Sequence, residues 1–176
     1  MQRRIFLKSV AVAGTVSTMG AGYLWLTAER DNPDLSIATT LKKLEKLAAG
    51  EIEKSGSWNP FQVFTHCAQS VEYSITGFPE MKSRIFQRTA GHLAFATFSA
   101  RGSMSHSLDE VIPGAPQLAA DGDATLALDR LLKALLDFQA YSGELRPHFA
   151  FGELSKHDYT IAHSLHVNNH LEEFHS

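Results

Sequence analysis

Cysteine is almost missing from this chain. One residue, Cys67, in 176 cannot close an intramolecular disulfide, and it removes Cys-rich zinc modules and Cys-x-x-Cys redox pairs. An excess of basic charge is missing too. Lys and Arg number 16 against 19 Asp and Glu, for a formal charge of −3, so no basic face is available for nucleic acid. There is no Gly-x-Ser-x-Gly elbow, no Gly-rich phosphate loop with its Lys and no His-Glu-x-x-His motif, which sets aside the chemistries those motifs serve. Strand-like alternation, internal repeats and low-complexity tracts are also lacking. What is present is an ordinary globular composition, 44% apolar and 20% charged, in a length that suits one domain. The unusual abundance is nine histidines.

Acidic residues are absent from residues 1–28, whose only charges are Arg3, Arg4 and Lys8. Behind them run 20 uncharged residues, Ser9 to Ala28, the layout of an export signal. Gln2-Arg3-Arg4-Ile5-Phe6-Leu7-Lys8 resembles the twin-arginine translocation signal, matching at every position but Gln2. The resemblance implies the twin-arginine machinery as a partner, export of a folded chain and a periplasmic location. The same run is long enough to span about 30 Å of hydrocarbon, so 1–28 is read as a signal peptide or as an inner-membrane anchor. No cysteine follows it, which excludes a lipoprotein anchor. Removing 1–28 takes three of the 16 basic residues and none of the 19 acidic ones, moving the charge from −3 to −6. An acidic domain suits neither DNA nor anionic lipid, so the membrane is expected to be met through the N-terminal segment alone.

Residues 33–175 read as one helical domain, because apolar residues recur at three and four. Leu35, Ala38, Leu41, Leu44, Leu47 and Ala48 mark a first helix between Pro33 and Gly50. Asn59-Pro60, an N-cap followed by Pro at the first helical position, opens a second, which Gly77-Phe78-Pro79 stops. Met81 to Ala100 forms one helix or two short pieces, weakened by Gly91. Residues 101–122 are the longest irregular stretch, either a site-lining loop or a solvated connector. Asp123 caps a helix with the stripe Leu128, Leu131, Leu132, Leu135, Leu136 and Phe138, ended by Tyr141-Ser142-Gly143. Ser155-Lys156-His157-Asp158 is a capping box for a last helix reaching about Phe174. Four or five antiparallel helices with short connections predict an all-α fold, an antiparallel four-helix bundle behind the N-terminal segment.

The last helix carries the chemistry. At about 100° per residue, His163, His166 and His170 fall within about 60° of one face, flanked by Tyr159 and Phe174. His166 and His170, one turn apart, can chelate one divalent ion. A tight site needs a third donor from another helix, and His66, mid-way along the second helix, is the best placed. Three neutral imidazoles leave a fourth position open, as in catalytic zinc sites. All-imidazole ligation suits Zn²⁺, Ni²⁺ or Fe²⁺, with Zn²⁺ or Ni²⁺ favoured. The bland alternative, an unmetallated polar cluster, leaves buried nitrogens unpaired. His92, His106, His157 and His175 read as surface residues, His148 and Asn169 as candidates to orient a ligand. Cys67 reads as core, since helical neighbours point about 100° apart and a lone buried Cys is usually packing. Glu72 and Glu172 lie off the histidine face, so no general base is evident.

The segments Trp58-Asn59-Pro60-Phe61-Gln62-Val63-Phe64-Thr65-His66-Cys67-Ala68-Gln69-Ser70 and His148-Phe149-Ala150-Phe151-Gly152-Glu153-Leu154-Ser155, with the closing His163-x-x-His166-x-x-x-His170-Leu171-Glu172-Glu173-Phe174, together resemble the DinB/YfiT-like superfamily. More narrowly they resemble one of its branches classed only as a domain of unknown function. The resemblance covers about residues 35–174. It implies a four-helix bundle with a metal on one early His and a late His-x-x-x-His pair, here His66, His166 and His170. His163 is an extra histidine on the same face and stands as the alternate late donor. Characterised relatives include thiol-dependent transferases and isomerases. Two functional readings follow: a metal-dependent hydrolase or thiol-dependent transferase with catalytic groups and substrate unassigned, or a non-catalytic periplasmic metal-binding or interaction protein. A homodimer is carried as a further expectation.

Overall fold

A computed structural model describes residues 32–49, 53–54 and 56–175. The signal or anchor reading of residues 1–28 lies outside these described residues. The described part is all-helical apart from one two-residue strand pair. Helix α1 is Ile37–Ala48, α2 is Pro60–Thr76, α5 is Ala124–Ala140 and α6 is Lys156–Leu171. Between α2 and α5 runs a helical track made of a short α3, Arg84–Phe86, a π-helical turn, Gln87–Gly91, and α4, His92–Arg101. Strand β1, Glu53–Lys54, pairs antiparallel with β2, Phe174–His175, placing Glu53 opposite His175. No helix among the described residues is long and apolar enough to cross a membrane.

Local chemistry sets the helix starts. Asn59 accepts a hydrogen bond from the Gln62 amide, and the Gln62 side chain accepts one from the Asn59 amide. With Pro60 beside it, this reciprocal cap satisfies donors that the first turn leaves orphaned. Ser155 and Asp158 cap α6 in the same way, and the Asp123 carboxylate accepts from the Thr125 and Leu126 amides at α5. Ser36 caps α1, so that helix starts two residues later than the apolar pattern predicts. Leu35 precedes it and packs with Phe95, Ile161, Ala162 and Leu165 between α4 and α6. The last helix stops at Leu171 rather than near Phe174, because Phe174 leaves it to pair with β1.

Helix α2 packs most extensively on α5, and both α1 and α6 pack against this pair. Leu44, Val63, Phe64, Val71, Leu131 and Phe138 fill the space between them. Leu136, expected in the α5 stripe, is 52% exposed; one residue past Leu135, it is turned about 100° away from the core. The 84–101 stretch is helical without a break and takes up Gly91 in its π turn. A Cβ at Gly91 would lie 2.0 Å from the Ala150 carbonyl oxygen, so only glycine lets the 148–152 turn approach this closely. That turn is further held by Lys82 N–H and Gln87 Nε2, both donating to the Phe149 carbonyl.

Candidate metal centre

His66 sits mid-way along α2, and His166 and His170 lie one turn apart on α6. The packing of α2 on α6 brings their donor nitrogens to within 4.8 Å of one another. The Nε2 atoms of His66 and His166 are 3.1 Å apart. Ring centroids are separated by 5.0 Å, 5.0 Å and 4.9 Å, and the rings meet edge to face. Trp58, from the chain leading into α2, forms a wall on this group: it stacks parallel to His170 at 6.2 Å and tilts against His66 at 5.0 Å.

These rings are neutral in the folded chain. Burial, with His106 adding to it, lowers His66 to about 4. Burial and the neighbouring rings lower His170 to about 2 and His166 well below its ordinary value. Neutral imidazole is the metal-ligating form. Nδ1 of His66 and both nitrogens of His170 are buried without a hydrogen-bond partner. Each such buried, unpaired group costs about 1–3 kcal/mol, a cost that a ligated cation relieves at the nitrogen it binds. The donor set thus fits a divalent ion: three borderline nitrogen ligands at the reach of one centre. Among the described residues no carboxylate or thiolate joins the group.

His163, the alternate late donor, lies elsewhere. Its Nε2 is 3.2 Å from Ser74 Oγ, and Ser74 itself donates to the Val71 carbonyl at 2.6 Å. The serine oxygen therefore accepts, and His163 carries its proton on Nε2. Its ring stacks on Tyr159 at 5.2 Å and meets the Phe138 edge at 4.8 Å. His163 is a satisfied core histidine, lowered to about 3 by burial. His148 is another. Its Nδ1 accepts from the Ala150 and Phe151 amides at 3.1 Å and 3.2 Å, which puts its proton on Nε2. It stacks on Phe151 at 4.3 Å. Asn169 is buried with its Oδ1 unpartnered.

A cavity of about 340 Å³ adjoins the cluster and is lined by His66, His106 and His166 as well as by His148 and His163. Phe86, Phe98, Phe149 and Phe151 make much of its wall, with Lys82, Ser107 and Glu110 as polar lining. The size and the aromatic lining suit a small ligand. The irregular 102–123 segment is thus a site-lining loop, and it contributes Met104, His106 and Ile112. His92 and His157 are exposed, as expected, and His106 is exposed too, but it stands over the cluster. Nothing in the periodicity marks His106, because a loop has none; its setting in Ser103-Met104-Ser105-His106-Ser107 is the one local signal. Cys67 is fully buried and burial pushes its thiol up, so it is packing rather than nucleophile. Glu72 is held by Arg130 in a two-pronged pair at 2.8 Å and 2.6 Å, and Glu172 is exposed.

A family model matches residues 31–176, and the chain belongs to that family, which is described as Protein of unknown function (DUF1569). No curated protein matches the chain, and no solved structure matches it.

Proposed function

We propose that this chain is an exported metal protein in which His66, His166 and His170 hold one divalent ion, Zn²⁺ or Ni²⁺, and that it acts as a metal-dependent hydrolase or thiol-dependent transferase on a small molecule. The carrying observation is the 3.1 Å approach of two histidine nitrogens separated by 100 residues of sequence. Their buried, unpaired neighbours on His66 and His170 support it. Three neutral donors leave the cation its full charge, so when bound it supplies Lewis acidity to an oxygen or sulfur of a ligand. The chain supplies the rest. The aromatic lining excludes water and holds an apolar body, while His148, with its proton on Nε2, offers a hydrogen-bond donor from a fixed ring.

The packing of α1, α2, α5 and α6 supports a DinB-like antiparallel four-helix bundle, with one ligand from an early helix and a His-x-x-x-His pair from a late one. Arg3, Arg4, Phe6, Leu7 and Lys8 support export by the twin-arginine machinery to the periplasm. A second reading, a non-catalytic periplasmic metal binder, is favoured by the absence of a carboxylate from the donor group among the described residues.

Elemental analysis of untagged protein tests the site. One equivalent of metal is expected per chain, lost in His66→Ala, His166→Ala or His170→Ala; full metal content in all three variants refutes the assignment. Screening the loaded protein for thiol transfer and for ester or amide hydrolysis separates enzyme from binder.

A further inference from the structure

The three helix-borne rings have a fourth neighbour. The His106 ring centroid lies 5.1 Å from that of His166 and 5.2 Å from that of His170. Within the triad the same separations are 4.9 Å and 5.0 Å, so the His106 ring is a neighbour of these two rings, although its nitrogens are not in the group whose donor atoms lie within 4.8 Å of one another. Its tautomer is also set. His106 Nδ1 lies 2.6 Å from the Ser107 carbonyl oxygen. A carbonyl only accepts, so Nδ1 bears the proton, and in the neutral ring the lone pair is on Nε2. A ring whose Nδ1–H is held by a backbone carbonyl is in the form in which histidines ligate metals through Nε2.

His106 differs from the triad in its support. The other three project from packed helices, whereas His106 is exposed and sits in the irregular segment between α4 and α5. That segment leaves α4 through Gly102, in the left-handed region at φ 70°. His106 also lines the same cavity as His66 and His166.

We propose that His106 is a fourth and exchangeable nitrogen donor: with a metal bound, the loop turns its Nε2 inward to close a four-imidazole sphere, and a ligand in the cavity takes its place. This rests on the three-histidine metal site proposed above. It turns an open site into a guarded one. A four-imidazole ion without a vacant position is a poor Lewis acid toward water, and release of the loop donor makes a position available when a ligand with an oxygen or sulfur donor fills the cavity.

X-ray absorption on the Zn²⁺-loaded full chain counts imidazoles through their outer-shell scattering. Four are expected in the wild type and three in His106→Ala, which keeps one equivalent of metal and binds it roughly ten- to a hundredfold more weakly. Adding free imidazole to His106→Ala restores the four-nitrogen spectrum, and His157→Ala, at an exposed site, leaves it unchanged. Three imidazoles in the wild type, with a spectrum that His106→Ala does not alter, overturn the fourth donor and leave the three-histidine site standing. A wild type that takes up no metal overturns both.

Discussion

Two groups of buried histidines in the described residues differ in where their hydrogen-bond partners come from. His148 and His163 are matched by the protein: backbone amides fill the Nδ1 of one, a serine oxygen takes the proton of the other, and aromatic rings cover both. In the other group, His66 and His170 keep buried nitrogens with no partner. Residue type, burial and the direction of the pKa shift are shared. What separates the groups is the source of the partners: amides and a serine oxygen hold one nitrogen each of His148 and His163, whereas the converging rings meet one another and keep buried nitrogens unpaired.

That contrast can be broken most forcefully at His163. His163→Ala removes a fully buried ring and is expected to cost about 3 kcal/mol of stability in urea unfolding while leaving metal content at the wild-type value. Loss of the metal with the fold intact would erase the distinction between the groups.

Acid tests the satisfied group next. The folded His148 is lowered to about 3, chiefly by burial and then by His163, against an ordinary value of 6.5. Above pH 6.5 the ring is neutral in both folded and unfolded chains, and its contribution to stability is fully present. As pH falls from 6.5 toward 3 the unfolded chain takes up a proton that the folded chain refuses, so stability falls by up to about 1.4 kcal/mol per pH unit for this ring. Urea midpoints of chelator-treated protein are expected to drop between pH 7 and pH 5. His148→Gln, which keeps an acceptor for the two amides, should lower that slope; an unchanged slope would mean that the ring is charged in the fold.

The smallest effect is expected at Glu72, the carboxylate nearest His66 in sequence. Its pair with Arg130 is partly exposed, and such pairs contribute about 0–1 kcal/mol. Glu72→Gln should shift the urea midpoint slightly and leave metal uptake and any activity of the loaded protein unchanged. A large loss of activity would give Glu72 a role that its geometry does not support.

Much of this was legible in the chain because helices advertise themselves locally. Asn59-Pro60, Asp123 and Ser155-x-x-Asp158 are caps whose hydrogen bonds span three residues or fewer, and the first and last of them start the helices that carry all three converging histidines. The 100° step per residue gave the late pair, and His66 followed from the need for a donor on another helix. Periodicity could not rank His163 against its neighbours: all three share a face, and only the tertiary position of Ser74 and Phe138 claims His163 for the core. His106 and the cavity were illegible for the same reason. Their placement depends on where an irregular segment lands, which no repeat encodes. The π turn is similar, since a glycine that weakens a helix and one that admits a neighbouring carbonyl look alike in one dimension.

Gly91 lies on neither donor-bearing helix, yet it sets how closely one wall of the cavity approaches. The turn carrying His148, Phe149 and Phe151 rests on the bare α-carbon at position 91, so a single methyl there would displace that turn and reshape the chamber beside the cluster. Guest size is thereby decoupled from the donor-bearing helices. A lineage of such proteins can retune which molecules it admits at a remote backbone position and keep its nitrogen donors untouched.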